Sequence, residues 1–214
     1  MIQNTNRNLL RTMDYNQELN EDVAGYVTKL FERFQTPDLA YHNLKHTRAV
    51  IERANEIAFN YSLDDRVRFI INTAAWFHDS GHLFGPASGH EERSNLIMRG
   101  YLKKIKVEEE IIQLIEQCIF ATRFPYEPAS ALDQILCDAD SYHLGTEDFL
   151  ITDNLVKEEF RLRNNYLPVN WDIKTLAMLE EHQFFTPYCR SLLREGKQKN
   201  IDFVRSKIQE AGGQ

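Results

Sequence analysis

The 214-residue sequence predicts an all-α fold, and three observations carry that expectation. Apolar residues recur at helical spacing along most of the chain, and no segment alternates apolar and polar residues for the length of a strand. Hydrophobic residues make up 43% of the composition, enough for a full core, whereas Gly and Pro number only 9 and 6. No connection is long or polar enough to divide the chain, so one domain over residues 1–214 is expected.

The elements follow in order. Residues 20–34 form an amphipathic helix stopped before Pro37, because the residue preceding a proline avoids the helical region. Residues 44–61 and 63–79 make the next two, the latter opened by Asp64 and Asp65 at its positive dipole end. A loop over residues 81–89, broken at Gly85 and Pro86, leads to Ser88-Gly89-His90-Glu91, which fits a capping box for a helix to about Ile105. Residues 107–121 place Ile111, Leu114, Ile115, Cys118 and Ile119 on one face. After a loop marked by Pro125 and Pro128 come helices over residues 130–144, 146–164 and 172–184. Pro187 then opens a last segment that frays into Ala211-Gly212-Gly213-Gln214. The total is eight or nine helices.

Charge and cysteine usage narrow the function. Twenty-five basic against 32 acidic residues give a net charge of −7, which disfavours binding to a nucleic-acid polymer. No stretch approaches the roughly 20 apolar residues of a membrane helix, and the first twenty residues lack the apolar core of a signal peptide. Cys118, Cys137 and Cys189 show no CxxC spacing and read as core filler. A cytoplasmic protein is expected.

The chemistry concentrates in polar residues that continue apolar stripes. His46 lies on the stripe of Val50, Ala54 and Ile57, and His42 stands four residues before it, on the same face if the helix continues that far. His78 extends the stripe of Val67, Ile70, Ile71, Ala74 and Ala75, and Asp79 follows it at a helix end where the dipole disfavours a carboxylate. Asp140 continues the face of Leu132, Ile135, Leu136 and Ala139, with His143 a turn on. A lone core-edge histidine is ordinarily a satisfied donor and acceptor, and a lone aspartate ordinarily a polar rim. Two of each on three inward faces, without Arg or Lys beside them, carry a desolvation cost that one divalent cation removes.

With those residues in view, the chain resembles the HD-domain metal-dependent phosphohydrolases, an all-α superfamily named for its His-Asp pair. The matching motifs are His46 in Tyr41-His42-Asn43-Leu44-Lys45-His46, the doublet in Trp76-Phe77-His78-Asp79, and Asp140 in Asp138-Ala139-Asp140. The first string and His78-Asp79-Ser80-Gly81-His82 are also similar to those of the cyclic-nucleotide phosphodiesterases. The likeness spans about residues 25–165. The helical extension over about residues 166–214, with Phe185-Thr186-Pro187-Tyr188 and Lys199-Asn200-Ile201, resembles that of small bacterial HD hydrolases.

The resemblance implies a divalent ion (Mn, Fe, Co, Ni, Zn or Mg) on His46, His78, Asp79 and Asp140, with Asp79 as the bridge if a second ion binds. It implies hydrolysis of a phosphoester or phosphoanhydride in a small phosphorylated substrate, a nucleotide first among them, by metal-activated water. His42 matches a general acid and His82 a histidine near the metal water. Glu91 is placed to order that water or to hold His42. Lys45 and Arg123 are the candidate phosphate contacts. Where two-metal relatives carry two further histidines, Thr122-Arg123-Phe124-Pro125 has a proline, so a second ion requires His82 and His90 instead. The alternatives are an HD-fold di-iron oxygenase, which needs those missing histidines, and a non-catalytic metal-containing sensing module.

Overall fold

The computed structural model describes residues 15–212. The polar amino terminus before Tyr15, and with it most of the stretch expected to lack a signal peptide, lies outside the described residues, as do the last two residues of the tail.

Nine α-helices are present among the described residues, with no strand: α1 Gln17–Phe34, α2 Leu44–Phe59, α3 Asp65–Phe77, α4 His90–Lys104, α5 Glu109–Ala121, α6 Ala131–Asp140, α7 Phe149–Asn164, α8 Trp171–Glu181 and α9 Pro187–Gly212. Short 3-10 turns occupy Ser80–Phe84 and Tyr142–Gly145. The all-α expectation therefore holds. No helix among the described residues is long and apolar enough to cross a membrane.

Local chemistry sets the helix starts. Asn16, Asn43 and Asp64 each accept backbone N–H groups from the first turn that follows, which satisfies donors with no partner inside the helix. The expected capping box at Ser88 and Glu91 does not form: Gly89, with φ of 71°, stands at the cap of α4 and makes no side-chain bond. Arg93 reaches back instead to the carbonyls of Gly81, Pro86 and Ser88, so that loop is closed by a side chain from within the helix. A capping box does form at Ser130 and Asp133, at the start of α6.

The third and sixth helices end earlier than periodicity suggests. The third stops at Phe77, with His78 as its cap, and the chain tightens into a 3-10 turn at Ser80. The sixth stops at Asp140, where Ser141 caps it, rather than running on to residue 144. Both breaks fall beside the residues singled out for chemistry, because a turn there re-aims side chains that a continuing helix would carry past one another.

α3 is the central element, packed against α1, α2, α5 and α6. Its Phe69, Ile70, Ile71, Ala74, Ala75 and Phe77 are all buried, so whatever follows its last turn is delivered into the interior. Burying each large apolar side chain stabilises the fold by about 1.5–3 kcal/mol. Cys189, Leu193, Ile201 and Val204 of α9 join the same core, as do Ile111, Ile115 and Ile119 of α5. The three cysteines are buried and free, as core filler should be. α9 packs closely on the Tyr142–Gly145 turn because two glycines meet there: a Cβ on Gly196 would lie 2.0 Å from the Gly145 carbonyl oxygen.

Candidate metal centre

α2, the end of α3 and α6 bring His46, His78 and Asp140 together, with Asp79 beside them. The Asn43 side chain accepts from the N–H groups of Lys45 and His46, so α2 begins at Leu44 and His46 turns inward in its first turn. His42 precedes the cap and is not on the helix, yet the turn at Asn43 leaves its ring 5.9 Å from that of His46. His78 ends α3, and its Nδ1 donates to the Ala75 carbonyl at 2.8 Å, which leaves the Nε2 lone pair free. Asp79 leaves the helix, and Asp140 is the last residue of α6.

The distances are those of a chelating cage. His46 Nε2 lies 3.2 Å from both Asp79 Oδ2 and Asp140 Oδ1, and His78 Nε2 lies 3.2 Å and 3.6 Å from the same two atoms. The two imidazole nitrogens are 3.4 Å apart. Ligand atoms about 2.1 Å from a common ion stand about 3.0–3.4 Å from one another, a spacing that His46, His78 and Asp140 approach as a set, with Asp79 Oδ2 within reach of both imidazoles. Asp79 Oδ2 is buried without a hydrogen-bond partner, the orphan that such an ion would satisfy. The electrostatics agree. Burial alone would keep both imidazoles neutral, yet the two carboxylates raise the pKa of His46 and, more strongly, of His78. Burial likewise opposes charge on Asp79 and Asp140, but the facing imidazoles hold both below the usual carboxylate range. The centre favours positive charge.

A second donor set shares Asp79. Its Oδ1 lies 3.4 Å from His90 Nε2 and 3.9 Å from His82 Nε2. The His42, His82 and His90 rings form a stack, with centroids 4.2 Å and 4.0 Å apart. Burial, together with the neighbouring His42, pushes the His82 pKa down to about 2. Gly81 permits this approach: a Cβ there would meet the His90 carbonyl oxygen at 2.0 Å. Ser94 of α4 also ties the corner, accepting from the Gly81 N–H and donating to the His78 carbonyl.

The partner of His42 is Glu159 of α7, not Glu91. His42 Nδ1 meets Glu159 Oε1 at 2.6 Å, and the N–H groups of Tyr41 and His42 donate to Oε2 at 2.8 and 2.9 Å. Burial works against the charge on Glu159, but these bonds hold its pKa at about 2. Arg163, one turn on, contacts both Glu159 and His82. Neither residue was singled out from the sequence. A signal for them exists, because Phe149, Val156, Glu159 and Arg163 fall at helical spacing along the inward side of α7.

Glu91 is buried between His90 and Arg123, with contacts at 3.5 and 3.7 Å. Arg123 is also bound to Glu92. Lys45 is exposed and borders a cavity of about 510 Å³ on the far side of His46 and Asp140. A second cavity of about 640 Å³ is bordered by His42, Asp79, His82, His90, Arg123 and Asp140. The expected site residues thus flank two openings that meet at the cage.

An all-helical domain that gathers His from α2, His-Asp from the end of α3 and Asp from α6 defines a class of metal-binding protein. Residues 43–145 match the HD domain family model, so this stretch of the chain carries an HD domain. No curated protein matches the chain. Among solved structures it is similar to a predicted HD superfamily hydrolase from an uncultured Thermotogales bacterium. That pair is 21% identical with a TM-score of 0.56, covering 89% of this chain and 91% of that one. It is also similar to a Lactobacillus plantarum protein at 14% identity and a TM-score of 0.68, covering 94% of this chain and 100% of that one. Both likenesses are of fold.

Proposed function

We propose that the protein is a metal-dependent phosphohydrolase acting on a phosphoester or phosphoanhydride of a small phosphorylated compound, with nucleotides first among the candidates. The observation that carries the reading is the pair of imidazoles of His46 and His78 set 3.2–3.6 Å from the carboxylates of Asp79 and Asp140, beside a histidine already engaged by a buried carboxylate. In this reading those four residues hold a divalent cation. When bound, it supplies Lewis-acid chemistry, lowering the pKa of water and offsetting charge on phosphoryl oxygens.

The remaining roles belong to the protein's own groups. Glu159 accepts from His42 Nδ1 and orients the ring, so Nε2 is the nitrogen that gives a proton to the leaving oxygen. His82 stacks against His42, and burial keeps its ring neutral there. Glu91 positions His90. Lys45 is exposed and makes no ion pair among the described residues, so it can meet a substrate phosphate, whereas a phosphate reaching Arg123 competes with Glu91 and Glu92.

The test is release of phosphate or pyrophosphate from a panel of nucleoside mono-, di-, tri- and cyclic phosphates. It is run with Mn, Co or Mg, with EDTA, and with Asp79→Ala. Metal-dependent release from one class, absent in the variant, supports the reading and identifies the bond. No release from any phosphorylated compound by metal-loaded protein overturns it.

A further inference from the structure

Five histidines surround Asp79, and three of them, His42, His78 and His90, follow one rule. A histidine that presents one ring nitrogen to a metal or a substrate normally donates the other N–H to a carbonyl or carboxylate. His78 Nδ1 donates to the Ala75 carbonyl, His90 Nδ1 to the Ala87 carbonyl at 2.9 Å, and His42 Nδ1 to Glu159. His82 breaks the rule. Its Nδ1 lies 2.9 Å from Arg163 Nη1.

A guanidinium has no acceptor and stays protonated, so it can only donate in that bond. His82 Nδ1 is therefore the acceptor, and the single proton of the neutral ring sits on Nε2. Nε2 is buried, has no hydrogen-bond partner and lies 3.9 Å from Asp79 Oδ1. A nitrogen that carries its proton cannot also offer a lone pair to a cation.

Arg163 is not free to turn away. It also contacts Glu159 at 3.4 Å and Asp38 at 3.9 Å and donates to the Gly85 carbonyl, and its side chain is only 12% exposed. Without His82, the second donor set reduces to Asp79 Oδ1 and His90, below the three protein ligands of a usual site.

We infer that Arg163 is a positioning residue that holds His82 as an Nε2–H donor and so limits the chain to one tightly bound ion. The donor then faces the larger cavity, where its partner is an oxygen of water or of a phosphoryl group. The inference rests on the four-residue cage being the metal site proposed above, but it can fail separately from it.

Two measurements decide it. Long-range proton–nitrogen correlation spectra of the labelled, zinc-loaded protein report which nitrogen of each histidine carries the proton. His82 is expected to be protonated at Nε2, and His78 at Nδ1. Elemental analysis after zinc loading and desalting is expected to give about one ion per chain for the native protein and for Arg163→Lys, whose ammonium is again only a donor. Arg163→Gln offers a carbonyl that accepts from His82 Nδ1–H, which frees Nε2, and about two ions per chain are expected. A native His82 protonated at Nδ1, two ions in the native protein, or one ion in a folded Arg163→Gln overturns the inference. No ion at all overturns the metal reading, while the spectra still decide the tautomer. The spectra and the Lys variant keep the test valid if the Gln variant does not fold.

Discussion

Two aspartates, two residues apart on α6, show how differently one fold treats the same buried charge. Asp138 is fully buried and accepts three hydrogen bonds from the segment that opens α9: the N–H of Phe185 at 2.8 Å, the N–H of Thr186 at 2.8 Å and its hydroxyl at 2.6 Å. Asp140 points the other way around the helix, where its Oδ1 meets two imidazole nitrogens whose lone pairs compete for the same point. Burial raises the Asp138 pKa despite its bonds; it also opposes charge on Asp140, but His46 and His78 hold that group below its ordinary value. A carboxylate closed by fixed donors is a latch. One that shares a focus with other acceptors is a candidate ligand.

That contrast can be broken experimentally. Asp140→Ala should reduce activity to the level measured with EDTA and remove the bound metal, with little change in thermal midpoint for the metal-free protein. Unfolding of that variant would make the cage a structural staple. His42→Ala should slow turnover by about 10²–10⁴-fold with full metal content, because it removes proton transfer and not a ligand. Metal loss there would place His42 in the cage.

Asp138→Ala should do the reverse of Asp140→Ala. It strands three donors, costs about 2–4 kcal/mol of stability by denaturant unfolding, and leaves the metal count unchanged. A neutral outcome would mean that α9 docks through its apolar face alone.

The smallest effect sharpens the His42 assignment. Glu159 is held at about 2 because its bonds to His42 and to two N–H groups prevail over burial. A depressed carboxylate pKa contributes stability that is complete above the ordinary value of about 4.3 and is lost as pH falls toward 2. Glu159→Gln should flatten the acid limb of the stability profile across that window. Identical acid limbs in the two proteins would show that the dyad carries no linkage.

Much of this was legible in the residues themselves. His46, His78 and Asp140 each continue an apolar stripe, and a polar group there must be buried beside something that satisfies it. Legibility stopped where a turn replaced a helix. Periodicity carried the third helix to residue 79, whereas the chain leaves it at Phe77, and the turn is what gives Asp79 one oxygen in each donor set. Ser88 and Ser130 look alike as caps, but only Ser130 is one, because Arg93 already closes the loop around Ser88. Glu91 stood nearest in sequence as a partner for His42, and the fold uses Glu159 instead.

The sequence by itself determined the helical class and the four inward donors, since both follow from a 3.6-residue period and from the cost of burying an unsatisfied polar group. Both are local properties. Only the tertiary structure decided which carboxylate is a latch and which faces two imidazoles, that Glu159 reaches His42 across 117 residues, and that Arg163 reaches His82 across 81. A hydrogen bond needs its two atoms within about 3 Å of each other, and that proximity is set by how helices pack rather than by the spacing of residues within any one of them.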